Sequence, residues 1–235
     1  MYGRDRSRAA GLPSPTPVVL HILVIDTVLW LLAATGHLTT VKLALSDTFQ
    51  VWQIFSYMWV HDSFFHLFSN MLGLYFLGTE VERALGALRF LRFYVVCGVA
   101  AGAFTWLIAL FMTALDTRGA SGAVFGVIAA FSMLWPDRKL MLLFPPVPIK
   151  AFWLLPMLFG IQLVFGGGVD LWGQLGGVAA AFLMLSKKVA PKLSWQQLRY
   201  RWNRYRARNR LRAVYLDERG RRKTRPRDDD DPTIH

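Results

Sequence analysis

The pattern of apolar and polar positions divides the chain into six apolar runs, at about residues 18–34, 64–78, 90–112, 119–135, 151–165 and 171–186. Each is close to the ~20 residues that cross a bilayer as a helix. The segments between them carry the charge and the helix breakers. Residues 35–63 are amphipathic and irregular, with Trp52, Tyr57, Trp59 and His61, the kind of aromatic content that sits at a membrane interface. A charged turn is expected after the second run, with Glu80, Glu82, Arg83, Arg89 and Arg92. Asp116 and Arg118 mark a short turn before the fourth run. Asp137, Arg138 and Lys139 mark another, followed by the breakers Pro145, Pro146 and Pro148. Pro156 is expected to kink the fifth helix, and Gly166–Gly168 to make a tight turn before the sixth.

Composition agrees with this reading. The 235 residues are 54% hydrophobic with a mean hydropathy of +0.34, too apolar for a soluble domain of this length. The fold class expected is an all-α polytopic membrane protein with six transmembrane helices. A signal peptide is the alternative for the first run, but no clear small-x-small cleavage site follows it, so a retained helix is expected. Cys97 is the lone cysteine and excludes an intrachain disulfide.

The net charge of +12 invites a nucleic-acid reading, which its distribution opposes. Residues 187–235 hold 16 of the 27 Lys and Arg, and Arg4, Arg6 and Arg8 add to the other end. With both termini cytoplasmic, Lys42 and Arg118 alone face outward, an asymmetry that sets the orientation. Four regions are expected: a disordered basic lead-in over 1–17, the membrane domain over 18–186, a basic amphipathic helix over 187–216 and a disordered tail over 217–235. Trp195, Leu198, Trp202 and Tyr205 recur at helical spacing among arginines, which suits the anionic lipid leaflet. No nucleic acid, metal or other cofactor is expected. A bacterial inner membrane is the expected location, the lead-in having no transit-peptide character.

The chemistry gathers at one depth. With this topology the second, fourth and sixth helices all start on the outer side, and each carries its unusual polar residues in its first turns. These are His66 and Asn70, then Ser121, then Gln174. His66 and Asn70, four apart, share a helix face and can both donate to one anionic oxygen. The N–H groups at the start of the fourth helix can donate as well. Ser121, within Gly119–Gly126, thus has the setting of a nucleophile beside an oxyanion hole. Interhelical hydrogen bonding is the plainer reading of the same residues. Gly122 and Gly126, like Gly173 and Gly177, are four apart and let the fourth and sixth helices approach closely. Ser121 and Gln174 would then touch, with Phe125 beside residue 174. Asp26, inside the first run, is expected to hydrogen-bond a neighbouring helix.

These residues resemble the rhomboid family of intramembrane serine proteases. The resemblance rests on His66-Leu67-Phe68-Ser69-Asn70, Val81-Glu82-Arg83-Ala84-Leu85-Gly86, Gly119-Ala120-Ser121-Gly122 and Leu175-Gly176-Gly177, with His61 five residues before His66. It covers about residues 18–186. It implies a six-helix rhomboid bundle in which Ser121 is the nucleophile, His66 and Asn70 assist the oxyanion, and Glu82 is structural. It also implies transmembrane proteins as substrates or clients.

One position departs from the family pattern. The resemblance calls for a histidine, the general base of a Ser–His dyad, two residues before the Gly-Gly of the last helix. This chain has Gln174 there. A carboxamide neither takes the serine proton nor returns it to the leaving amine, and the loss of a general base costs at least ~10²–10⁴ in rate. Asp170, Asp116 and His61 are the candidates for a substitute base. The reading is a rhomboid that binds transmembrane clients without cutting them, as derlins and iRhoms do in the wider superfamily. The alternatives are a working rhomboid protease with a weakened site and an unrelated six-helix transporter.

Overall fold

The computed structural model describes residues 14–46, 49–111, 116–141, 146–165 and 169–189. The basic lead-in over 1–13, the Gly166–Gly168 turn and the tail from 190 onward, with its expected amphipathic helix, lie outside the described residues.

Each apolar run forms a helix. Helix α1 spans Pro17–Ala34, with proline in its first turn, where the missing N–H breaks no helical bond. The cap of α1 comes from far along the chain. Glu82 accepts hydrogen bonds from the Thr16 hydroxyl (2.5 Å) and from the N–H groups of Val18 (3.1 Å) and Val19 (2.9 Å). A carboxylate there satisfies orphan donors and meets the positive end of the helix dipole. Asp26 lies on the same buried stripe as Val19 and Ile22. Neither of its oxygens has a partner among the described residues, so the expected interhelical hydrogen bond is not made.

Short elements follow α1: strand β1 (Leu45–Ser46), helix α2 (Gln53–Ser56) and a 3-10 turn (Tyr57–Trp59). Helix α3 (Phe64–Gly73) passes through a π turn at Leu74–Gly78 directly into α4 (Thr79–Leu85). The charged stretch at Glu80, Glu82 and Arg83 is therefore helical and not the expected turn. Its residues are good helix formers, and Glu80 pairs with Arg83 at 2.8 Å one turn on. The break comes at Gly86, whose φ is +83°.

Helix α5 (Ala87–Ala109) buries a continuous stripe of Phe90, Tyr94, Cys97, Ala101 and Thr105 against α6 (Ser121–Leu134). Helices α1 and α5 are long and apolar enough to cross a bilayer, while α6 is shorter. At 14 residues α6 spans about 21 Å, less than a hydrocarbon core, but it is buried along almost its whole length. Neighbouring helices, not lipid, surround it.

After α6, strands β3 (Lys139–Met141) and β4 (Pro148–Lys150) pair as an antiparallel ribbon. Arg138 ties this ribbon to α4 through Glu80 (2.8 Å) and lies over the ring of Phe131. A 3-10 turn at Ala151–Trp153 leads into α7 (Leu154–Phe165). Pro156 falls in the first turn of α7, where it starts the helix and does not kink it. Helix α8 spans Val169–Val189.

Helices α5, α6 and α8 meet through glycine. A Cβ on Gly122 would collide with Ala101 and stand 3.2 Å from the Gly173 carbonyl. On Gly126 it would stand 2.7 Å from Cys97 Sγ and 3.1 Å from the Gly177 carbonyl. On Gly177 it would run into the Gly122 carbonyl. The two Gly-x-x-x-Gly faces thus pack on each other.

Candidate functional site

Ser121 is the first residue of α6 and is partly exposed. The segment leading to it is held from three sides. Strand β2 (Asp116–Thr117) pairs antiparallel with β1, Leu45 opposite Thr117. The Gly119 N–H donates to the Tyr57 carbonyl at 2.9 Å. The Ala120 N–H donates to His61 Nε2 at 3.4 Å. Tyr57 is anchored in turn, its hydroxyl donating to the Gly98 carbonyl of α5 at 2.8 Å.

Gly119 has a φ of +109°, a conformation that favours glycine. The His66 ring fills the space a side chain would need there. His66 lies in the first turn of α3, whose N-cap Ser63 accepts its N–H at 3.2 Å. The rings of His61 and His66 meet edge to face with centroids 5.2 Å apart. Asn70 is buried one turn below His66, and its Nδ2 donates to the His66 carbonyl at 3.0 Å. One proton of that amide is thus committed to its own helix.

His61 is buried. Burial, reinforced by the neighbouring His66, pushes its pKa down to about 3. Its Nε2 lone pair already accepts from Ala120, which puts the ring proton on Nδ1, and Nδ1 is buried without a partner. His61 therefore orients the Ser121 segment and has no lone pair to offer the serine. No hydrogen bond joins Ser121 to a histidine among the described residues. The side chains of Asp116 and Asp170 lie outside the described residues.

Gln174 is buried in α8, next to the Gly173 carbonyl that meets Gly122. Its Oε1 has no hydrogen-bond partner among the described residues, so the Ser121 hydroxyl does not donate to it. Phe125 packs on Phe159 of α7, centroids 5.2 Å apart. The sequence reading missed two residues. Tyr57 acts through its backbone carbonyl, for which a sequence carries no signal. Gln162, a single carboxamide in the apolar α7, also has a buried Oε1 without a partner.

The result is a serine at the N-terminus of α6, entered through a segment on which His66 packs at Gly119 and to which His61 bonds at Ala120. A family model described as the rhomboid domain matches residues 48–189. The chain belongs to the rhomboid family. It is 41% identical over 95 residues to "Rhomboid protein 1, mitochondrial" of Saccharomyces cerevisiae, covering 39% of this chain and 28% of that protein. It is 28% identical over 142 residues to "Rhomboid protease GluP" of Bacillus subtilis, covering 60% and 27%. It is 32% identical over 87 residues to "Inactive RHOMBOID-like protein 8" of Arabidopsis thaliana, covering 37% and 24%. The chain spans about a quarter of the length of these relatives.

Proposed function

We propose that this rhomboid-family protein binds transmembrane segments of client proteins at the Ser121 site and does not cleave them. The observation that carries this is Gln174, a buried carboxamide where the family resemblance calls for a general base. The commitment of the His61 lone pair to Ala120 supports the same reading, because it withdraws one candidate substitute. The donors His66, Asn70 and the start of α6 would hold a client carbonyl, and Ser121 would hydrogen-bond without attacking. In this reading six helices span the membrane, both termini are cytoplasmic, and the basic tail lies on the anionic leaflet of a bacterial inner membrane. The second reading is an active protease with Ser121 as its nucleophile. It is favoured by the partly exposed Ser121 beside an oxyanion apparatus. Incubation of the purified protein with a tagged transmembrane substrate, beside its Ser121→Ala variant, separates the two. Cleavage that Ser121→Ala abolishes would overturn the binding reading.

A further inference from the structure

Helices α6 and α7 run antiparallel. Near one end the Ser132 hydroxyl donates to the Ala151 carbonyl at 2.8 Å, and toward the other Phe125 meets Phe159. Ser121 is four residues from Phe125, on the same face of α6. Gln162 is three residues from Phe159, within about 60° of it around α7. One helical turn beyond the Phe125–Phe159 contact, the two facing stripes therefore carry Ser121 and Gln162 opposite each other. Gln174 reaches the same level on α8, since the Gly173 carbonyl abuts Gly122. Two carboxamides from two helices thus fall at the level of Ser121, and in both the Oε1 is buried without a partner among the described residues.

A buried acceptor left unpaired costs about 1–3 kcal/mol, and lipid supplies no donor. Two such acceptors at the level of one serine are built for donors that arrive with a ligand. We propose that Gln162 is a client-contact residue, and that its Oε1, with that of Gln174, accepts main-chain N–H groups of a client segment unwound opposite Ser121. This rests on the client-binding reading and names the groups recognised. An intact client helix has its N–H groups engaged internally and offers none. An unwound peptide unit presents both halves: a carbonyl for the donors at His66 and the start of α6, and an N–H for the two glutamines.

The test is binding of a fluorescent, lysine-flanked Leu/Ala peptide of about 24 residues with Gly-Gly in its outer third. The protein is full-length, in lipid nanodiscs, either natural or Gln162→Leu. A matched peptide is N-methylated at the amides after the glycines, which removes those donors. Gln162→Leu is expected to weaken binding about three- to tenfold. It should raise the thermal stability of the empty protein or leave it unchanged, because it removes an unpaired polar atom. N-methylation should weaken binding to the natural protein and add little in the variant. Unchanged affinity in Gln162→Leu, or two losses that simply multiply, would overturn the assignment of Gln162 while leaving client binding intact. Lowered stability with unchanged affinity would make Gln162 structural. No binding of the peptide by the natural protein would overturn the client-binding reading and this proposal with it.

Discussion

The imidazole of His66 stands where a side chain on residue 119 would have to be. The first turn of α3 and the entrance to α6 are therefore fitted to each other across Gly119, which also adopts a φ of +109°. Gly119→Ala meets both obstacles at once and should cost about 1–3 kcal/mol. Unfolding in detergent would measure that cost, and an unchanged midpoint would show that His66 swings away freely.

Catalysis is the sharpest matter at Ser121. The natural protein should leave a tagged transmembrane substrate intact, and Gln174→His should create cleavage at least ~10² above that background. Ser121→Ala in the Gln174→His background should remove it. Product bands on a gel report all three. Cleavage by Gln174→His would mean that the site lacks its base and nothing else.

Glu82 closes the N-terminus of α1 from a helix more than sixty residues away. Glu82→Ala would leave the Thr16 hydroxyl and the N–H groups of Val18 and Val19 without their acceptor. The expected loss is about 2–4 kcal/mol. Protease accessibility near residue 16 should rise with it. Glu82→Gln, which keeps one acceptor oxygen, should fall between the two.

His61 ties stability to pH. Its native pKa lies near 3, against an ordinary value of 6.5, so between these limits the unfolded chain binds a proton that the folded chain refuses. The stabilisation is complete above about pH 6.5 and is lost as the pH falls toward 3. Stability should drop by about 1.4 kcal/mol per pH unit through this window. Protonation would also put a second N–H against that of Ala120. Denaturant titrations at pH 7, 6 and 5 should show the slope for the natural protein and a flatter line for His61→Asn.

The apolar helices were legible in the sequence, α1 and α5 being long enough to cross a bilayer, because apolar length survives without knowledge of packing. The continuation of α3 through its π turn into α4 was not. Charge suggested a turn, while helix propensity and the Glu80–Arg83 pair carried the helix on to Gly86. At the site, depth alone suggested that the start of α3 and the start of α6 are neighbours, and His66 does pack on Gly119. The role of His61 was not legible, since its bond to Ala120 joins positions 59 residues apart. Gln162 escaped for a related reason. Its face on α7 has meaning only once Phe159 is known to meet Phe125, and a lone amide in an apolar run announces no partner.

The glycine seam between α6 and α8 bears on how such a protein arises. Gly122 and Gly177 set the register of the two helices backbone to backbone, and the Oε1 of Gln174 takes no part in holding it. The residue at 174 can then change without the seam moving. Glutamine and histidine codons differ only in their third base, so a single point mutation separates the two chemistries on this scaffold. On the proposed reading, the same glycine seam would serve a residue 174 of either chemistry.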